Sequence, residues 1–495
     1  MLFTKFKFKS HALIIVLSIS ISLFTMPQAF VLAEDITTAT NVETSSTEDR
    51  NKEMALFGEV LDYLDQYNIQ GVEREEFVEN ALRGMVYTLE DPYSDYFTKE
   101  DLQAFQDGIS QSYTGIGVTL RFRNNKLYVT DVLTGSPAKS AGIKKGDIIT
   151  KVDGQPVTSK EDTLLIQGKE NSSVVLVILR QGRPMTFTIN RASFFLPSVR
   201  GQMLPSTKVG YISIASFSEQ ADEQFSKQLQ ALQKEGMTSL VLDLRNNLGG
   251  YVDAANNIAK KFIKNGILMY TSDKSNELSP VKISGGTNIG MPVVVLVNEQ
   301  TASASEILAG ALHDNGVAVT LGSQTYGKAQ IQNIFSLSNG SALKMTVQRY
   351  YTPAKVDFNH IGLTPDIIID NNATAQLVSG MYKAGVRNLE LSGNTYSVAI
   401  NGSPFSGELD VIQNGTKTYT QSRVLSSLIR GKISWNSKTQ KLTITDKDGK
   451  SKVFTKASGH VKVLQNETFV ELHEFERQFP GLSWSYHQDT LKLTY

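Results

Sequence analysis

Asn298–Leu312 reads NEQTASASEILAGAL and directly follows the apolar run Met291–Val297. Five or more consecutive apolar residues of β-branched character predict a strand buried on both faces, and ILAGAL is good helix sequence. Ser303 therefore falls at a strand-to-helix junction. Unpaired N–H groups and the helix dipole favour developing negative charge there, with the Ala304 N–H as a natural oxyanion donor. A second reading of the same residues is equally physical: Ser303-x-x-Glu306 fits a capping box, whose serine only caps the helix. The chain has no cysteine, and none of its six histidines sits where a Ser/His/Asp triad needs one. A nucleophilic serine would need another base, and Lys328, in TYGKAQIQ from Thr325, is available. A lysine in water keeps its proton at neutrality. Holding it neutral costs about 5 kcal/mol, which burial in an apolar pocket can supply. Ile331, Ile334 and Phe335 are the candidate walls, whereas a lone loop lysine is ordinarily a solvated charge. Gly322-x-x-x-x-Gly327-Lys328 also mimics a phosphate-binding loop. Ala329 stands where that loop needs Ser or Thr, and Gln330–Leu337 reads as extended where it needs a helix.

Working outward, strand and helix alternate from Val209. Ser239–Leu244 is a buried strand, the turn Arg245-Asn-Asn-Leu-Gly-Gly250 and a helix follow, and Val317–Leu321 is a further strand. This predicts an α/β layer with its sites at strand ends. Tyr113–Arg191 reads instead as short strands and tight turns, with Asn124-Asn125 and Asp153-Gly154 as turn signals, and suits a small barrel. Lys52–Leu89 has helical spacing and ends at Asp91-Pro92-Tyr93-Ser94. Lys5, Lys7 and Lys9 followed by apolar Ala12–Phe24 predict an export signal, cut after Ala33 or kept as an anchor. A Thr/Ser/Glu-rich tether follows. After Asp370 the chain reads as a linker and then a duplication. Ser434-Trp435…Leu442-Thr-Ile444 resembles Ser483-Trp484…Leu491-Lys-Leu493, each copy reading as helix, turn, hairpin. The second copy runs to Tyr495, as expected of a complete C-terminus. The 495 residues allow two to four domains. Basic and acidic residues balance at 49 each, so no net field draws nucleic acid. Outside the cytoplasm, a cysteine-free chain is stabilised by packing and not by disulfides.

Eight stretches in fixed order resemble the C-terminal processing peptidases, or tail-specific proteases. They are LEDPYSDYF from Leu89, YTGIGVTL from Tyr113, SPAKSAGIKKGDIITKVDG from Ser136, GYISIASFSE from Gly210, LDLRNNLGG from Leu242, TASASEILAGALHDN from Thr301, TYGKAQIQ from Thr325 and YYTPAKVDFNHIGLTPDI from Tyr350. The resemblance covers about Ala55–Asp370. It implies an exported Ser-Lys endopeptidase with Ser303 as nucleophile, Lys328 as general base, Gln332 as the amide orienting the lysine, and Asp314 as a family aspartate that is either catalytic or structural. It implies Gly249 or Gly250 as a second oxyanion donor beside Ala304, and a PDZ domain whose loop Gly115-Ile116-Gly117-Val118 binds a substrate's terminal carboxylate. His313 is expected on the other side of its helix from Asp314. Two positions depart from the family pattern. Ala329 replaces a glycine, and Gln167 stands where an arginine could couple the PDZ and protease parts.

The expected fold is α+β multidomain. By resemblance it has a ββα-spiral (crotonase/Clp-like) core with an inserted PDZ β-barrel, N-terminal helices and a duplicated small α+β module. The expected division is 1–33 signal, 34–51 tether, 52–100 helices, 101–193 PDZ, 194–375 protease core, 376–408 linker and 409–495 module. The module resembles copper amine oxidase N-terminal-like stalks, yet His460, His473 and His487 lack ligand spacing, so no metal or cofactor is expected. Cell-wall contact and an inert appendage are its two readings. Expected partners are protein C-terminal tails, with dimerisation through the N-terminal helices by analogy with the family. A non-catalytic PDZ adaptor on a protease-like scaffold is the alternative function.

Overall fold

The computed structural model describes residues 47–495, apart from 111, 124 and 371. The expected signal segment and nearly all of the tether lie outside those residues. The described chain divides into two units, one of 105–329 and 349–495, the other of 47–104 and 330–348.

In the first unit, the apolar runs make the centre of a six-stranded sheet. Its order is Val199–Met203, Val209–Ile214, Ser239–Asp243, Val293–Val297, Ala318–Gly322, Ile367–Ile368. The first pair is antiparallel and the rest are parallel, in registers such as Leu242↔Val295 and Val295↔Thr320. Ser239–Asp243 and Val293–Val297 are buried at every position, because both faces of a parallel sheet are covered. Ala221–Lys234, Val252–Ala259 and Ala304–Asp314 are its crossover helices. The other face, presenting Val241, Val294, Leu296 and Leu321, continues into Leu377, Val378 and Met381 of the helix Ala373–Lys383. From there one apolar core runs on through Val424, Leu428, Phe475, Leu491 and Leu493.

Residues 376–408 are therefore not a linker. They hold most of that buried helix and the strands Glu390–Asn394, Ser397–Ile400 and Ser403–Phe405, which share a sheet with the terminal hairpin Ser483–His487/Thr490–Thr494. The sequence pattern misled because a helix buried nearly all round has no polar stripe to mark it. The duplicated copies are helix then hairpin (Ser422–Leu428 with Lys432–Asn436/Lys441–Thr445, and Leu472–Gln478 with Ser483–His487/Thr490–Thr494). They meet through Lys417–Gln421 and Glu467–Glu471, paired antiparallel.

The segment expected to be a small barrel has its own core, including Leu127, Val129, Ile149, Leu176 and Ile178. Its strand order is Val118–Arg123, Lys126–Val132, Ile148–Val152, Ser173–Arg180, Arg183–Asn190. Asp153 and Gly154 both have positive φ and make the tight turn their sequence predicts.

In the second unit, the helices Thr47–Tyr67 and Arg74–Tyr87 precede the strand Asp95–Phe97, which pairs with Ala342–Lys344. Gln330–Ser336 is a strand, so no helix follows the Gly322–Lys328 loop and the phosphate-binding reading falls.

Candidate active site

Ser303 is the residue before the helix Ala304–Asp314 and has φ 62° and ψ −121°. A non-glycine residue in that region carries about 1–3 kcal/mol of strain, and the conformation is that of a nucleophile elbow. Neighbouring groups hold it there. The Ser303 N–H donates to Glu306 Oε2 at 2.8 Å, and its carbonyl accepts from the Ile307 N–H at 2.9 Å and from the Tyr350 hydroxyl at 3.1 Å. Both arms of the capping box are laid out, but only the glutamate arm closes; the Ser303 hydroxyl faces the Glu306 N–H without hydrogen-bond geometry. The side chain that was expected to cap the helix is left available for chemistry. It is not exposed, however: Ser303 has 0% accessibility, as does Ala304, so the elbow is a covered one.

Lys328 is also fully buried. Its loop is joined to the serine elbow by two side chains. Glu306 accepts from the Gly327 N–H (2.7 Å), the Lys328 N–H (3.0 Å) and the Thr325 hydroxyl (2.5 Å), besides Ser303. Burial raises the Glu306 carboxyl above its usual value, and these donors offset that rise only in part. Tyr350, buried in the same unit, puts its hydroxyl against the carbonyls of both Ser303 and Lys328. Sequence reasoning gave Glu306 only a capping part and Tyr350 none. The signal for Glu306 was a glutamate in the first turn of a helix too apolar to tolerate an unpaired one.

The turn after Ser239–Asp243 closes the site from below. Asn247 is buried and sends its amide N–H to the Ile214 carbonyl (2.8 Å), while its carbonyl accepts from the Ala302 N–H and the Ser305 hydroxyl. Asn246 and Asn298 exchange two 2.8 Å hydrogen bonds, locking the two loops together. Gly249 has φ +110°, and a Cβ there would stand 2.8 Å from Ser303 Cβ and 3.2 Å from the Ala304 nitrogen. Glycine is required for that approach. The Gly249 N–H is spent on Asn247 Oδ1 at 2.9 Å, so of the two glycines Gly250 remains the candidate donor.

Other expected residues fall as follows. Gln332 is buried in the second unit. Its amide N–H donates to the Thr346 hydroxyl at 3.1 Å, and its Oε1 has no hydrogen-bond partner. Asp314 lies at the far end of the serine helix, about 16 Å along it, and accepts from the Ala354 N–H at 2.8 Å. That is a structural anchorage. His313 does not turn away from Asp314: its Nδ1 lies 2.7 Å from Asp314 Oδ1, and its Nε2 3.1 Å from Asp366. Adjacent positions start on different faces, but at the end of the helix no following turn keeps the ring and the carboxylate apart, which the expectation from mid-helix spacing neglects. Phe335, expected as a pocket wall, is 42% exposed. Among the described residues no cluster of His, Asp or Glu is arranged to hold a metal.

In the small barrel, Ile116 is buried and Gly117, at φ +78°, packs where a Cβ would strike Ser136. Ser136 caps the helix Pro137–Ala141. Gln167 is exposed; Arg191 instead anchors the helical turn Glu161–Ile166 through the carbonyls of Leu165 and Ile166.

Residues 208–369 match Peptidase family S41, residues 128–180 match a PDZ domain, and residues 20–101 match the Activating protease CtpB N-terminal domain. The carboxy-terminal processing protease CtpB of Bacillus subtilis (strain 168) is 32% identical over 341 residues, which are 67% of this chain and 71% of that protein. A probable CtpA-like serine protease of Staphylococcus aureus (strain COL) is 35% identical over 312 residues. That match spans 62% of this chain and 62% of the staphylococcal protein's length. A solved photosystem II D1 C-terminal processing protease is 31% identical, covering 64% of this chain and 93% of its own, with a TM-score of 0.42. The chain belongs to the carboxy-terminal processing proteases of peptidase family S41.

Proposed function

We propose that the protein is a serine endopeptidase that holds the C-terminal tail of a protein in its PDZ domain and cleaves it with Ser303 and Lys328. The observation that carries this is the strained Ser303, its hydroxyl without a hydrogen bond and its backbone tied through Glu306 and Tyr350 to the loop of a fully buried lysine. Burial disfavours the charged ammonium, as a general base requires. Ser303 Oγ would attack the scissile carbonyl while Lys328 Nζ takes its proton. The N–H groups of Ala304 and Gly250 would receive the oxyanion, and Lys328 would pass the proton to the departing amine. Water, deprotonated by Lys328 Nζ, would attack the acyl carbonyl, and Lys328 would return that proton to Ser303 Oγ as the acid departs. Strand-helix alternation around these residues supports the finer description of the core as a ββα-spiral.

The covered, unbonded serine describes a resting site, so substrate must open and complete it; catalytic hydrogen bonds often tighten only when substrate is bound. Ser303→Ala and Lys328→Ala should each reduce peptide hydrolysis to background with the melting temperature unchanged within a few degrees. Hydrolysis surviving in either variant removes the dyad. The same covered serine is what favours the adaptor reading. A hydrophobic peptide that binds but yields no product on any timescale would select it.

The helix Thr47–Tyr67 leaves Met54, Leu56, Val60, Tyr63 and Tyr67 each more than half exposed, which supports a homodimer through this helix. Sedimentation should give twice the chain mass, falling to one on Val60→Asp with Tyr63→Asp; a monomeric parent protein sinks the idea. The C-terminal module we assign to the core and not to the cell wall, because its apolar side chains are spent in covering the sheet.

A further inference from the structure

The turn Arg245–Gly250 keeps its backbone in conformations it does not hold unaided. Asn246, Gly249 and Gly250 have φ of 60°, 110° and 137°. Such dihedrals persist only where the surroundings fix them. Three consecutive side chains do so, and each reaches a different neighbour. Asn246 is tied to Asn298 in the serine loop, and Asn247 to the Ile214 carbonyl of Val209–Ile214. Arg245 reaches the C-terminal module.

The Arg245 guanidinium folds back over the end of its own strand. Nε donates to Asp243 Oδ1 at 2.9 Å and Nη2 to Asp243 Oδ2 at 2.6 Å, with the two side chains only 5% and 6% exposed. This two-pronged pairing fixes direction as well as distance. Asp243 Oδ1 also accepts from the Arg245 backbone N–H at 3.0 Å, and Oδ2 accepts from the Tyr211 hydroxyl at 2.7 Å. Nη1 donates to the Ala373 carbonyl at 2.5 Å and to Gln376 Oε1 at 3.4 Å. Both acceptors belong to the helix Ala373–Lys383, which lies close on the sheet: a Cβ on Gly380 would stand 2.7 Å from Leu296 Cδ2. At the other end of the cluster, Phe405 of the module meets the Tyr211 ring edge-on, 4.9 Å between centroids. The module therefore grips Tyr211, Asp243 and Arg245 from both ends.

The far end of the turn carries the oxyanion donor. The Gly249 carbonyl accepts from the Phe217 N–H at 2.9 Å, and the Phe217 carbonyl accepts from the Tyr251 N–H at 2.8 Å. With the Gly249 and Tyr251 N–H groups both spent, the direction of the Gly250 N–H is set by how residues 245–249 lie. A misplacement of about 1 Å at a reacting centre costs up to a hundredfold in rate.

We propose that Arg245 is a positioning residue for the oxyanion turn, and that the C-terminal module acts on catalysis through it. The inference deepens the Ser303–Lys328 reading above and rests on it. Arg245 acts through Gly250 and not on substrate. Lysine cannot replace it, because an ammonium is a point charge and cannot bind Asp243 with two prongs while reaching the Ala373 carbonyl.

The test uses the full chain and a hydrophobic tetrapeptide boronic acid. Its boron bonds to Ser303 Oγ, and the oxygen of the tetrahedral adduct takes the place of the oxyanion. Arg245→Lys should lower kcat about thirtyfold, short of the hundredfold or more that loss of a donor costs, with KM for a peptide substrate within about twofold. Boronate affinity, counted per folded site, should fall by the same factor as kcat. A merely structural role would lower the melting temperature and leave that affinity alone. Tyr211→Phe and Gln376→Leu each take one partner from the cluster without removing a charge. Each should move kcat and boronate affinity together by about threefold, a single hydrogen bond's worth, and they decide the matter if Arg245→Lys does not fold. Parental boronate affinity in every folded variant overturns the positioning role while the serine-lysine reading stands. A parental Gln376→Leu beside an impaired Tyr211→Phe overturns the module's share. A parent enzyme that takes no boronate, or hydrolysis that survives Ser303→Ala, overturns the reading and the inference with it.

Discussion

Glu306 does more at this site than any residue except the two that would do chemistry. One buried carboxylate satisfies four donors from two loops, and so fixes the elbow and the lysine loop against each other. A neutral isostere cannot do this, because its amide NH₂ must face at least one of those donors. Glu306→Gln is expected to cost about 2–3 kcal/mol, the range for a buried hydrogen-bonded charge, and to lower kcat at least tenfold with KM little changed. Calorimetry and peptide kinetics check both; a variant with parental kcat shows that the clamp is not needed for turnover. Ser303 and Lys328 were legible in the sequence as residue types beside a strand end. The strain at Ser303 and the hydroxyl of Tyr350 were not: the first is a backbone dihedral that no residue type announces, and the second comes from a strand 47 positions along the chain.

The serine helix Ala304–Asp314 is pinned at both ends. Its first turn is held by Glu306. Its last turn is held by Asp314 on the Ala354 N–H and by His313 between Asp314 and Asp366, whose other oxygen accepts from Thr320. Burial alone would lower the His313 pKa, but the hydrogen bond to Asp314 and the charge of Asp366 outweigh it and raise it above the ordinary value. The stabilisation is therefore fully present below the unfolded pKa of about 6.5, and it is lost as pH rises through the folded value. Because the ring is nearly half exposed, solvent holds its worth below about 1 kcal/mol. The melting temperature should fall by a few degrees from pH 6 to pH 8 relative to His313→Gln, which should lack this component. Parallel pH profiles for the two proteins would contradict it. Strands and helices around this element were read correctly because a buried parallel sheet writes itself as unbroken apolar runs. The helix Ala373–Lys383 was missed for the opposite reason, as burial on most sides removes the polar stripe by which a helix is recognised.

On the scale of the whole molecule, the C-terminal module is a layer of the unit that carries Ser303 and Lys328. Removing 371–495 would bare Val241, Val294, Leu296 and Leu321 on the sheet. A chain ending at Asp370 is expected to aggregate or to melt without a cooperative transition. A soluble, cooperatively unfolding, active 1–370 would show that the module is dispensable. What the sequence determined by itself was local or modular. Burial patterns, turn dipeptides, the internal duplication and the order of eight short motifs lie along the chain and survive being read one stretch at a time. What only the tertiary structure decided was which stretches share an environment. The glutamate of one helix closes a loop some twenty residues on, the Gly249 N–H is already taken, and a supposed linker covers the back of the sheet. Those outcomes depend on desolvation and hydrogen-bond competition among groups distant in sequence, and neither is a property of any single stretch.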